Sequence, residues 1–160
     1  MNNETPTYAA PLGKIVSGCY IITLKNEAEE NAFLASFLIQ VGFNPPTVAL
    51  AVGKGRYAYS LIKTLKPFTI NIIGKEQMFF FKHFGKGFNP GEYPYQNINL
   101  ITDKTNAPVL TDSIGYLEVQ YKGEYETNDH IVVFAEVIQG EMLQNDASPY
   151  VHIRKSGLNY

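Results

Sequence analysis

Residues 31–66 read NAFLASFLIQVGFNPPTVALAVGKGRYAYSLIKTLK, and the way this stretch divides decides the fold. Ala32–Phe43 has the composition of one long strand, apolar on both faces, so cover is expected on both. Asn44-Pro45-Pro46 stops it, because proline donates nothing to a ladder and restricts the residue before it. Thr47–Gly53 reads as the next strand. Val48, Leu50 and Val52 share one face, and Thr47, Ala49, Ala51 and Gly53 share the other, small enough for a helix or a flat molecule to approach the backbone. Tyr57–Leu65 is predicted to be a helix, since Ala58, Leu61, Ile62 and Leu65 recur at i, i+3, i+4 and i+7. Pro67 follows its end. No Asp or Glu occurs between Asn31 and Lys75, although the chain carries 15 acids, whereas Lys54, Arg56, Lys63, Lys66 and Lys75 all do. That imbalance points to an anion nearby.

Outward from this stretch the chain is mainly strand. Residues 1–12 read as a short arm. Lys14–Lys25 is expected to be a strand, and the charged Asn26–Glu30 a hairpin loop. Phe68–Ile73 is a further strand. Lys75–Gly85 is predicted helical, with Gln77, Phe80, Phe81 and Phe84 on its apolar side. Gly87–Pro94 is rich in turn residues. A short strand is expected at 99–102. Ile114–Glu126 and Ile131–Met142 alternate and flank an Asn128-Asp129 turn. Pro149–Ile153 is read as a last short strand before a basic tail. Six or seven strands, hairpin connections and two helices give a β-barrel with helices in the crossovers.

The bulk numbers agree with one ordinary domain over residues 1–160. Hydrophobic residues make up 45% and charged residues 18%, enough to bury a core. The net charge of −2 argues against nucleic-acid binding. A single cysteine, Cys19, permits no internal disulfide and fits a reducing compartment. No apolar run approaches the ~20 residues of a membrane helix. Neither membrane nor nucleic acid is expected as a partner, and a cytoplasmic location is.

Four places could carry chemistry. The Gly53–Ser60 turn follows a strand and opens a helix, with Lys54, Arg56 and Ser60 ready for a phosphate; alternatively it is a solvated loop. Leu34-Ala35-Ser36-Phe37 with Gln40-Val41-Gly42 places small and hydroxyl residues inside an apolar strand, which suits a planar ligand or simply core packing. Lys82-His83-Phe84 holds a histidine beside aromatics, a pattern that is often structural. His152-x-Arg154-Lys155 is either functional or a basic tail. Gly53-x-Gly55-x-x-Ala58 matches a dinucleotide fingerprint, with Glu76 at about the spacing of a ribose acid. Only one strand–helix–strand unit surrounds it, however, so the match is read as coincidence. The histidines at 83, 130 and 152 do not stand at metal-ligand spacings, so no metal site is expected. No nucleophile elbow supports hydrolysis.

Taken in order, these pieces resemble the flavin reductase-like, FMN-binding split-barrel family, and within it the flavin reductase domain of cyanobacterial diflavin proteins and flavoredoxins. The resemblance is carried by Ser17-Gly18-Cys19-Tyr20, the Leu34–Pro46 run, Ala51-Val52-x-Lys54-x-Arg56, Lys82-His83-Phe84 with Phe88-x-Pro90-Gly91, and His152-x-Arg154-Lys155-x-Gly157-x-x-Tyr160. It implies a mainly β fold, a six-stranded antiparallel split barrel of Greek-key type with two or three short helices. It implies a homodimer with FMN near the subunit interface. Leu34, Ala35, Ser36, Phe37, Gln40, Val41 and Gly42 would then lie along the flavin ring and ribityl chain. Lys54, Arg56 and Ser60 would surround the phosphate, and His83 and Phe84 would lie by the flavin edge. His152 would sit where NADH or NADPH arrives, as an orienting or proton-relay group. The implied function is NAD(P)H-dependent flavin reduction or flavin-mediated electron transfer, with a redox protein as one possible acceptor; the alternative is a non-catalytic flavin carrier or sensor. A high aromatic load, 10 Phe and 11 Tyr, also favours a dimer. The flavodiiron and flavodoxin modules of the diflavin proteins have no counterpart in these residues. A free-standing version is therefore expected, ending with little to cover a bound nucleotide.

Overall fold

A computed structural model describes residues 5–159. The elements in chain order are α1 (Ala9–Gly13), β1 (Tyr20–Lys25), β2 (Glu30–Ala35), β3 (Leu38–Phe43), β4 (Pro46–Gly53), α2 (Ala58–Ile62), β5 (Phe68–Ile72), α3 (Phe79–Phe84), β6 (Leu100–Ile101), β7 (Val109–Leu110), β8 (Gly115–Glu126) and β9 (His130–Met142). Seven strands form one antiparallel sheet in the order β2-β1-β5-β8-β9-β4-β3, and β6 and β7 pair separately. The two expected hairpins are present: β1 pairs with β2 from Tyr20↔Ala35 to Lys25↔Glu30, and β8 pairs with β9.

The fold is mainly β with few short helices, as expected, but the main sheet has seven strands where the resemblance implies a six-stranded split barrel. The single strand expected over Ala32–Phe43 breaks at Ser36–Phe37. Its first half pairs with β1 and its second half with β4. One continuous segment thus supplies both edges of the sheet, which makes seven strands and leaves the edges joined by two residues. Two residues span only about 10 Å, so the sheet must curl on itself without closing. The expectation of cover on both faces also fails for β3, where Ile39, Val41 and Phe43 are exposed, Phe43 to 88%.

The curl encloses the main core. Ile22, Phe33, Leu50, Phe68, Val119 and Val133 come from six strands of the sheet and are all nearly fully buried. α2 caps this core with Ala58, Leu61 and Ile62. The helix is shorter than the periodicity predicts, because Leu65 takes φ 62° and turns the chain out; its carbonyl accepts from Gln120 Nε2 at 2.8 Å. A second core lies outside the curl, where Cys19, Ile21 and Ala32 meet Phe80, Phe84 and Tyr95. Each such side chain contributes about 1.5–3 kcal/mol of burial, which holds α3 against β2. α3 starts at Phe79 and not at Lys75, since Gln77 Oε1 accepts from the Gly74 N–H at 2.6 Å and closes a turn first.

Both ends of the chain differ from expectation. Residues 14–19 form no strand, and part of the expected arm is α1. The expected strand at 149–153 contributes two isolated bridges, Gly74↔Pro149 and Ser17↔His152. Its continuation is pinned to α1 by Arg154 N to Gly13 O at 3.0 Å and Gly157 N to Ala9 O at 2.7 Å. A methyl on Gly157 would collide with Leu12, so the close approach needs glycine there. Tyr160 and residues 1–4 lie outside the described residues. Among those described, no helix is long and apolar enough to cross a membrane.

Candidate functional site

The strand break opens a hollow of about 450 Å³, within the usual range for small-ligand sites. Leu34, Ala35 and Ser36 form one side at the end of β2. Ala51 and Gly53, from the small-residue face of β4, form another. Phe81 and Gly85 close it from α3 and the residue after it, and Cys19 lies at its base. Phe33, Val52, Arg56, His130 and His152 also line it, and among the described residues no carboxylate takes part. Ser36 is 9% exposed, and its Oγ is buried with no hydrogen-bond partner. A buried hydroxyl left unpaired costs about 1–3 kcal/mol, so this one has a hydrogen bond to offer that the described residues do not take up.

The cations of the acid-free stretch separate in space. Lys54 Nζ pairs with Glu126 at 2.6 Å, Lys63 with Glu124 at 2.9 Å and Lys66 with Glu27 at 3.6 Å. Acids from distant parts of the sequence fill the apparent gap. Arg56 takes part in no ion pair among the described residues and lies over the Phe33 ring, 5.5 Å from its centroid. Of the three residues expected around a phosphate, only Arg56 faces the hollow. Lys54 points to the β8–β9 hairpin, and Ser60 is exposed with its hydroxyl donating to Tyr57 O at 2.8 Å.

Other expected site residues divide likewise. Phe37 leaves the ladder beside the hollow, its carbonyl accepting from Ala51 N at 2.9 Å, and Arg154 stacks over its ring at 4.8 Å. Gln40, Val41 and Gly42 lie further along β3, away from the hollow, with Gln40 Nε2 donating to Gly42 O at 3.0 Å. Phe84 is fully buried in the second core. His83 bonds Pro94 O at 2.8 Å and packs edge-on to Phe84, anchoring the loop after α3. The helix phase instead turns Phe81 toward the hollow. His152 does line it, held by a reciprocal pair of backbone bonds with Ser17 at 2.8 and 3.1 Å.

His130, like Phe81 and Gly85, is a lining residue that sequence reading did not offer for the site. It begins β9, opposite Gly53 at the end of β4, and its Nδ1 lies 2.9 Å from Asp129 Oδ1. His130 holds the Asp129 carboxyl below its ordinary range, mainly through that bond. Only the β4–β9 register brings it to Gly53 and Arg56. Burial pushes the Cys19 thiol up to about 11, so it stays protonated and unreactive at neutral pH. No three His, Cys, Asp or Glu side chains among the described residues are grouped to hold a metal ion.

Fold and site together define a small curled-sheet protein with a mostly apolar hollow at the strand break, lined by one arginine and two histidines. Residues 12–157 match the flavin reductase like domain family, and the chain belongs to it. It is 36% identical over 151 residues to diflavin flavoprotein A 1 of Synechocystis sp., an alignment covering 93% of this chain and 26% of that protein. The chain thus spans about a quarter of the length of the curated relatives it matches. Its fold is that of the NADH:FAD oxidoreductase SgcE6 of Streptomyces globisporus C-1027, with TM-score 0.81 and 21% identity over 92% of this chain and 86% of that one. The styrene monooxygenase flavin reductase of Pseudomonas putida S12 is similar in fold, with TM-score 0.77 and 15% identity over 92% of this chain and 93% of that one.

Proposed function

We propose that the hollow at the β2–β3 break binds a flavin, FMN in the simplest case, and that the chain passes electrons to it from NADH or NADPH. The observation that carries this reading is the buried, unpartnered Ser36 Oγ beside the small face of β4. A flat heteroaromatic ring needs that combination: room against the backbone at Ala51 and Gly53, and a hydroxyl to meet its polar edge. Membership of the flavin reductase like family supports it, as does the solved SgcE6 homologue described in complex with NAD and FAD fragments.

A bound flavin would supply the two-electron chemistry. The protein's part is positional. Leu34, Ala35 and Phe81 exclude water, Ser36 orients the ring, and Arg56 balances the anionic end. His130 and His152 stand at the same hollow and can hold a proton or orient the incoming nucleotide. Hydride transfer needs no further acid or base. A homodimer would cover the exposed face of β3 and an adjoining apolar groove of about 560 Å³ lined by Ile15, Val16, Phe37, Ile39 and Val151.

Purified protein should bind FMN and show flavin absorbance bands. With NADH added, nicotinamide absorbance at 340 nm should fall as the flavin bleaches. Protein that binds no added flavin would sink the proposal. Flavin bound without nicotinamide turnover would leave a carrier in place of a reductase.

A further inference from the structure

The cations of this chain fall into two groups. Six lysines make ion pairs: Lys25 and Lys66 with Glu30 and Glu27 of the β1–β2 hairpin, and Lys54, Lys63, Lys104 and Lys122 with acids of β8 and β9. The other seven of the 13 Lys and Arg residues make none among the described residues. All seven lie on segments that frame the hollow. Arg56 lines it. Lys82 and Lys86 each follow a lining residue, Phe81 and Gly85, and Lys75 stands in the turn before α3. Arg154 and Lys155 follow the lining His152, and Lys14 follows Gly13, whose carbonyl accepts from Arg154 N at 3.0 Å. The Phe81 and Tyr150 rings, 4.9 Å apart, bring α3 and the C-terminal segment into one rim. Acids there are few. Residues 147–159 hold none, Glu76 and Asp146 stand at the margin, Asp129 is held by His130, and Glu92 accepts from Asn89.

The outer face of α3 shows what kind of partner this rim fits. Phe80 and Phe84 are fully buried beneath the helix, and Phe81 and Gly85 face the hollow. Met78, Phe79, Lys82 and Lys86 are left exposed, Met78 to 46% and Phe79 to 52%. Met78, Lys82 and Lys86 stand four residues apart and so share a side. A small ligand inside the hollow does not use this outer side. Methionine and aromatic side chains are enriched at protein interfaces, and the unpaired lysines among them favour a negatively charged surface.

We infer that the rim centred on the outer face of α3 docks an acidic one-electron carrier protein, which collects electrons from the bound flavin. The inference rests on the flavin reading of the hollow. A partner seated on α3 lies about 10 Å from the hollow, the thickness of one helix. Elsewhere the lysines are cancelled by paired acids, so the field of the protein draws a negative surface to this rim. The electrons balance. NADH gives a hydride to the flavin and becomes NAD+. The reduced flavin then gives one electron to each of two partner molecules in turn, and one proton goes to water.

The test uses anaerobic, flavin-loaded protein freed of excess flavin, with NADH and two forms of one acceptor. Native cytochrome c is basic; succinylated cytochrome c is acidic and keeps the haem. At low salt the wild type should reduce the succinylated form at least about tenfold faster, and roughly 0.5 M salt should cut the advantage to about twofold. Lys82→Glu should remove about fivefold of that advantage, and Lys75→Glu combined with Lys82→Glu about tenfold. Both lysines are exposed, so their replacement leaves the core intact. Lys122→Glu, at a paired lysine of β8, should leave the advantage unchanged. Bleaching of the bound flavin by NADH, read separately, should change by less than about twofold in every variant. Equal rates for the two cytochromes, a preference that salt does not alter, or a loss in Lys122→Glu as large as in Lys82→Glu overturns the docking face alone. So does a loss in Lys82→Glu that is matched by slower bleaching. Protein that holds no flavin, or whose flavin NADH does not bleach, overturns the flavin reading and the docking face with it.

Discussion

Replacing Ser36 with alanine should make the ligand-free protein more stable and its flavin complex weaker. The hydroxyl is buried at the strand break and has no partner. Burying such a group unpaired costs about 1–3 kcal/mol, and alanine keeps the backbone and Cβ while removing the oxygen. The net gain in the free protein should be about 1–2 kcal/mol. For a chain of this size each kcal/mol moves the melting temperature by about 2–4 °C, so a rise of about 4 °C is expected. In the complex the oxygen gains a partner, and its loss should weaken flavin binding five- to tenfold, about 1–1.4 kcal/mol. Thermal melts at increasing flavin concentration read both effects, because a ligand that binds only the folded state raises its stability by mass action. The variant's lead in melting temperature should shrink as flavin rises, by up to the equivalent of about 1–1.4 kcal/mol at saturation. A variant that melts lower without flavin would show that the hydroxyl is already satisfied in the folded chain. An unchanged flavin affinity would show that Ser36 does not face the ligand.

Two further outcomes are expected. The Cys19 thiol is raised from its ordinary 9.0 to about 11 by burial, so the folded state favours its neutral form. Stability from this group is complete below pH 9 and is lost as pH rises through about 11. Cys19→Ala should flatten part of the fall in melting temperature over that window, while Tyr20, raised in the same direction by burial and by Cys19, keeps the remainder; an unaltered slope would contradict the assignment. Light scattering of the flavin-bound protein should give about twice the 17.9 kDa chain mass, and Phe43→Asp should shift it toward the single-chain value. A single-chain mass for the wild type would remove the dimer.

Much of the site could be read in the sequence, and the misreadings share one cause. Ala35, Ser36, Ala51 and Gly53 were legible because small and hydroxyl residues inside apolar strands stand out along the chain. Arg56 was legible as a cation after a strand end. The acid-free stretch misled about Lys54, because absence along the chain is not absence in space: Glu126 reaches it across the β8–β9 hairpin. His83 and Phe84 carry the more conspicuous motif, but the phase of a helix only six residues long sends Phe81 and Gly85 to the hollow instead.

The strand alternation, the Pro-Pro stop after Phe43, the two hairpins and the short helix after Gly53 were determined by the sequence itself. Each depends on interactions within a few residues, such as proline's missing N–H, a period of 2 or 3.6, or a turn too short to run any other way. Tertiary structure alone decided that Ala32–Phe43 breaks in two and serves both edges of one sheet. It also set His130 opposite Gly53 and left Arg56 without an ion pair among the described residues. Those outcomes depend on ladders between residues 46 to 52 positions apart in β1–β5 and 77 to 89 apart in β4–β9. Their register is chosen by which side chains can share the inside of the curl, and that is a property of the assembled sheet.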